Sequence, residues 1–293
     1  MPSLKEVRGR IVSVNSTQQI TKAMKMVSAA KLRRAQESIT RFRPYAEKLN
    51  TILANLSATL DQSTDNPYGE EREVKKVLIV VITSDRGLAG PFNSNIAKAV
   101  NALISSDYKN FSKENITLLC IGKKGYEYFS KRGANTIADY TTLFHNLSFS
   151  TARPAAEFAM EGFLKGEYDR VDVVYNEFKN VATQIIRKER LLPIEKKAEA
   201  TTAKTANVDY IFEPSREEIV SELIPKSLKV QFYKAILESN ASEHGARMTA
   251  MDKATDNAKE LLKELRLTYN RSRQAAITKE ILEIVGGAEA LAG

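Results

Sequence analysis

Between Leu237 and Ala276 a seven-residue frame runs unbroken through Leu237, Ala241, His244, Met248, Met251, Thr255, Ala258, Leu262, Leu265, Tyr269, Ser272 and Ala276. Alternating steps of four and three put all of these on one stripe of a helix. A 3.5-residue period held this long specifies a left-handed coiled coil, not a helix lying on a globular core. Apart from Gly245, no Gly or Pro interrupts the run. A helix from Lys226 to Ala290 measures about 95–100 Å at ~1.5 Å per residue. An ordinary domain of this chain length is only about 40 Å across. Such a helix protrudes, and its stripe needs a partner helix.

The N-terminus offers one. Residues 4–60 read as a single helix in which Leu4, Val7, Ile11 and Val14 open a frame that Leu32, Ala35, Ile39, Phe42, Ala46, Leu49, Leu53, Leu56 and Leu60 continue. Pro44 is positioned to kink it. Between the two apolar stretches the frame passes through Gln18, Thr21, Lys25 and Ser28, while Ile20, Met24 and Val27 lie on another face. Either the coiled coil stutters here, or this polar-and-Met segment faces something other than its partner helix. Residues 1–48 also hold eleven basic side chains against three acids, an excess of eight that equals the net charge of the whole chain. Such an arm attracts anionic partners: nucleic acid, acidic lipid or an acidic protein surface.

From Val74 the period changes. Val77–Thr83 (VLIVVIT) has the continuous β-branched character of a strand buried on both faces. A helix over Asn93–Ser106, a strand at Ile116–Ile121, a helix over Lys124–Lys131 and a short extended piece at Ala134–Ala138 follow. Pro154 suits the first turn of a helix ending near Lys165. Val171–Phe178 and an antiparallel edge strand at Gln184–Leu192 complete the series. The alternation predicts a small, mainly parallel sheet with right-handed crossovers and helices on its faces. Asp61–Gly69 reads as a turn-rich linker and residues 195–211 as an Ala/Thr/Lys connector. Ser215 with Glu218 forms a capping box, and Pro225 separates or kinks a short first helix. The fold class is therefore mixed α/β. Residues 1–62 and 212–293 form an antiparallel two-helix shaft, and a small Rossmann-like α/β domain at 74–194 is inserted between them.

Catalytic chemistry finds little support. The loop Ser84–Asn93 (SDRGLAGPFN) stands where a dinucleotide-binding protein carries its phosphate loop. It lacks both the G-x-G-x-x-G spacing and a G-K-[ST] ending, so a structural strand-to-helix turn is the stronger reading. The two histidines, His145 and His244, are about a hundred residues apart, and with one cysteine no zinc site is proposed. Asp252 and Asp256 read as a solvated helix face. Cys120, in an apolar run, reads as a buried thiol in a reducing compartment. No apolar run approaches the ~18 residues of a membrane-spanning helix, and the N-terminus lacks the apolar core of a secretory signal. A basic coiled coil that binds nucleic acid or a membrane surface is the alternative; only Phe42 and Tyr45 interleave aromatics with the basic residues, which disfavours single-strand binding.

Three stretches resemble the γ subunit family of F-type ATP synthases: Asn15–Ala35 (NSTQQITKAMKMVSAAKLRRA), SDRGLAGPFN, and the C-terminal segment from SEHGARMTAMDKATDN to EILEIVGGA. The resemblance covers both long helices and reaches into the middle domain. Ala89 and Pro91 depart from the Cys and Gly the family often has, which removes thiol chemistry there, and the regulatory cysteine insertion of chloroplast relatives is absent. The resemblance implies a non-catalytic, cofactor-free rotor that transmits torque and regulates ATP hydrolysis. Its shaft turns inside three α and three β subunits. Its foot binds the ε subunit and the membrane c-ring, on the cytoplasmic side of a bacterial cell membrane and without nucleic acid. Residues implied to meet the α and β subunits are Thr17, Gln18, Lys22, Met24, Lys25, Lys31, Arg33 and Arg34, with Arg273, Gln274 and Thr278 on the C-terminal helix. A tip of Ile281, Ile284, Val285 and Leu291, apolar beside small residues, fits an axle end in a greasy bearing.

Overall fold

The computed structural model describes residues 3–59, 66–181, 183–194 and 216–292, apart from the side chains at 50, 53–59, 216–220 and 289–292. The connector at 195–211, the Ser215 cap and most of the 61–69 linker lie outside these residues. The elements in order are α1 (Leu4–Thr59), β1 (Val77–Ile82), α2 (Phe92–Asp107), β2 (Ile116–Ile121) and α3 (Lys123–Ser130). They continue with β3 (Asn135–Ile137), α4 (Phe149–Leu164), β4 (Arg170–Phe178), β5 (Gln184–Leu192) and α5 (Arg216–Ala292). α1 and α5 are assigned as unbroken helices through Pro44 and Pro225, so neither proline ends its helix.

The chain forms two compact units, Met1–Ala29 with Arg247–Gly293, and Ala30–Ala246. The division falls inside both long helices, whereas the sequence suggests boundaries at their ends.

In the larger unit the five strands are ordered β3-β2-β1-β4-β5. β1 pairs in parallel with β2 and with β4, and β5 closes the edge antiparallel to β4. All six residues of β1 are fully buried, as a β-branched run covered on both faces must be. Val77, Ile79 and Val81 point to one face, packing with Ile96, Val100 and Leu103 of α2 and Phe129 of α3. Leu78, Val80 and Ile82 point to the other, where α4 supplies Ala156, Met160 and Phe163. That second face also receives Leu228, Phe232, Ala235 and Ile236 of α5. The middle of α5 is thus a layer of the α/β domain. Its opposite side meets α1, where Val230 and Leu223 pack with Phe42, Ala46 and Leu49. A helix covered on both sides is buried nearly all round, and this α5 segment is.

Two local details shape the ends of these elements, and the first differs from expectation. α4 starts at Phe149, so Pro154 lies inside it. The cause is the cap: Ser148 Oγ accepts the Thr151 N–H (3.2 Å) while Thr151 Oγ1 accepts the Ser148 N–H (3.0 Å). This reciprocal pair satisfies donors that helix ends otherwise leave open. At the end of β2, Gly122 turns with φ +96°, and a Cβ there would meet the Thr83 carbonyl oxygen at 2.2 Å. Only glycine fits that approach. Cys120 is buried in β2, and burial pushes its thiol up to about 12.

Candidate partner-binding surface

The smaller unit pairs the start of α1 with the C-terminal part of α5. On α1 the covered positions are Leu4, Val7, Ile11, Val14, Gln18, Thr21, Lys25 and Ser28, which follow the seven-residue frame without a break, with Met24 and Ala29 beside it. There is no stutter. The polar segment does not turn away from its partner helix either: the hydroxyls of Thr21 and Thr255 are 2.8 Å apart, and Lys25 Nζ lies 2.5 Å from Asp252 Oδ1. Outward stand four apolar residues off the frame, Val12, Ile20, Met26 and Val27, each more than half exposed. On α5 from Met251 onward the covered set is Met251, Thr255, Ala258, Leu262, Leu265, Tyr269, Ser272 and Ala276, with Asp252 and Ala254 beside it. A seam with polar residues at core positions sacrifices apolar contact for register.

Asp252 is therefore a seam partner, not part of a purely solvated face. Lys25 and Asp252 are 41% and 48% exposed, so solvent screens the pair and its coupling is about 0.2–1 kcal/mol. Lys25→Glu should lower the urea midpoint, and adding Asp252→Lys should recover most of the loss. A double-mutant cycle showing no coupling would assign the contact no energetic role.

The residues implied to meet other subunits fall into distinct settings. Thr17, Lys22, Arg273, Gln274 and Thr278 are exposed, whereas Gln18, Met24 and Lys25 are half-buried along the seam. Thr278 Oγ1 donates to the Gln274 carbonyl (2.9 Å), a local bond that leaves its oxygen free to accept. In the larger unit Lys31, Arg33 and Arg34 are exposed; Arg33 contacts Glu37 one turn on at 3.1 Å, with its own side chain 83% exposed. Beyond Ala276 every described side chain through Ala288 is exposed. Ile277, Ile281, Leu282, Ile284 and Val285 are 48–71% exposed. The side chain of Leu291 lies outside the described residues.

The larger unit settles what the loop Ser84–Asn93 does. The strand order reverses direction between β1 and β4, and open α/β sheets bind ligands in the crevice at the carboxyl ends of strands at such a point. Here α5 occupies that position. Ala246 packs with Ala89 and Phe92 of the loop and α2. A Cβ on Gly245 would lie 3.5 Å from the Phe178 ring and 3.6 Å from the Val181 carbonyl oxygen. Glu238 accepts the N–H of Phe178, the last residue of β4, at 3.0 Å. The loop closes on itself: Asn93 Oδ1 accepts the Ser84 N–H (3.0 Å), and Ser84 Oγ donates to the Arg86 carbonyl (2.7 Å). It is a structural turn that seats a helix where a nucleotide would otherwise bind. Periodicity alone does not single out Glu238; its one signal in the sequence is a carboxylate set within the apolar and small residues of AILESNA.

The family model described as ATP synthase matches residues 3–291. The ATP synthase gamma chain of Cytophaga hutchinsonii is 70% identical over 293 residues, covering 99% of each chain. That of Flavobacterium psychrophilum is 55% identical over the full length of both. Among solved structures, a chain from the central stalk and c-ring of the Tetrahymena thermophila mitochondrial ATP synthase is 26% identical. It has a TM-score of 0.55 and covers 80% of this chain and 99% of that one. A chain from the Euglena gracilis mitochondrial ATP synthase shares the fold, with a TM-score of 0.66 at 21% identity over 98% of this chain and 94% of that one. Matches of this strength extend from one end of the chain to the other and take in both long helices and the sheet between them, so the chain belongs to the ATP synthase gamma chains, non-catalytic subunits of that enzyme.

Proposed function

We propose that the paired helices act as the rotating shaft of an F-type ATP synthase. In this reading the shaft turns within three α and three β subunits, and the α/β domain serves as the foot that meets the ε subunit and the c-ring. The observation that carries the reading is the end of α5. Five large apolar side chains between Ile277 and Val285 stand 48–71% exposed, next to Gly286, Gly287 and Ala288. A bare apolar helix end of this kind marks a surface that another protein covers, and small side chains keep it smooth enough to turn. Ile281, Ile284, Val285 and Leu291 form the bearing tip. Arg273, Gln274 and Thr278, just before it, present donors and acceptors to a loop of a catalytic subunit. Thr17, Gln18, Lys22 and Met24 do the same on α1, with Lys31, Arg33 and Arg34 further along, while Lys25 is shared with Asp252. Among the described residues no helix is long and apolar enough to cross a membrane. In the proposed role the chain is a peripheral subunit, on the cytoplasmic side of the bacterial cell membrane.

Ending the chain at Ala276 tests this directly. Nothing described packs on the removed segment, so helicity per residue and the urea midpoint should stay unchanged. The truncated chain should instead dissociate faster from a reconstituted ring of α and β subunits. A ring that holds both forms equally well would rule out the bearing.

A further inference from the structure

Glu238 is 1% exposed, and both of its carboxylate oxygens are engaged. Oε2 accepts the N–H of Phe178 at the end of β4 (3.0 Å), and Oε1 lies 3.3 Å from Nη2 of Arg43 on α1. Nine residues earlier on α5, Lys229 Nζ meets Glu157 Oε1 of α4 at 2.7 Å. Seven residues later, Gly245 rests against Phe178 and Val181. All these groups belong to the unit Ala30–Ala246. The apolar contacts around Phe232 and Ile236 hold α5 on the sheet, and the polar contacts add an angular constraint to that packing. A hydrogen bond to a charged acceptor depends on angle as well as distance, and Glu238 makes one to the sheet and one to the neighbouring helix.

We propose that Glu238 is the joint that sets the rotational position of α5 against the sheet, so that torque passes between the long helices and the sheet foot through this carboxylate. The proposal rests on the rotor reading above. Glu238 acts here as a positioning residue and touches no substrate.

The test uses the complete ATP synthase in sealed vesicles, comparing ATP hydrolysis with ATP-driven ion uptake. Glu238→Leu removes both contacts, Glu238→Gln keeps an acceptor for the Phe178 N–H, and Arg43→Leu removes only the half-exposed cation. Glu238→Leu should hydrolyse ATP within about twofold of the wild type while ion uptake per ATP falls severalfold, the signature of a lost interaction in coupling and not in chemistry. Glu238→Gln should recover most of that ratio, and Arg43→Leu should lie between. A ratio unchanged in both Glu238→Gln and Arg43→Leu, with Glu238→Leu either coupled normally or reduced equally in both rates, would overturn the joint. A complex lacking this chain serves as control: ion uptake that survives its omission would remove the rotor reading itself, and the joint with it.

Discussion

Phe232→Ala is expected to cost the unit Ala30–Ala246 about 3–5 kcal/mol, the usual range for truncating a buried aromatic ring. The ring is 1% exposed and packs among α5, α4 and the Leu78, Val80 and Ile82 face of β1. Collapse into the cavity is hindered, because the far side of α5 is already held by Val230 against Ala46 and Leu49 of α1. A domain has only about 5–15 kcal/mol to lose, so the urea midpoint should fall steeply with little change in slope. Phe232→Leu keeps most of the volume and should cost less than about 1.5 kcal/mol. Leu267→Ala, at a 53% exposed position on the same helix, should stay within about 0.5 kcal/mol. A loss below about 1 kcal/mol at Phe232 would mean that α5 merely lies beside the domain and is not one of its layers.

Reversing Lys22, Lys31, Arg33 and Arg34 to glutamate should leave the fold intact and cripple coupling. All four side chains are exposed, and among the described residues their one recorded ion pair is the surface contact of Arg33 with Glu37, worth a few tenths of a kcal/mol at most. Four reversals take the formal net charge from +8 to zero. Under the proposed function these cations face acidic surfaces of the catalytic subunits, where complementary potential sets association and register. Helicity and urea midpoint should match the wild type, whereas ATP synthesis driven by an ion gradient should drop by about an order of magnitude or more, since each misplaced like-charge contact across an interface costs several kcal/mol. The defect should shrink as salt rises toward an ionic strength where the Debye length is only about 3 Å. Full ATP synthesis in the reversed variant would sink the electrostatic part of the proposal while leaving the bearing untouched.

Much of this architecture is legible from residue spacing. The frame from Leu237 to Ala276 demands a long paired helix, and the covered residues between Met251 and Ala276, apart from Asp252 and Ala254, are the ones it names. VLIVVIT demands a doubly buried strand, and β1 is one. A carboxylate one step past Leu237 carries no mark that separates a joint from a solvated acid. Leu228, Phe232, Ala235 and Ile236 form a second helical stripe, at spacings of four, three and one, of a kind that any amphipathic helix carries.

By itself, then, the sequence determined which residues share a face: the seam of the paired helices and the two-sided core of the sheet. Only the tertiary structure decided what covers each face. It turned Gln18–Ser28 toward α5, placed the middle of α5 on the sheet, and filled the strand-end crevice with Gly245 and Ala246. The reason is physical. Periodicity reports local backbone geometry, whereas these contacts join residues far apart in the chain, such as Thr21 with Thr255, 234 positions away, and their choice depends on how all the apolar faces are buried together.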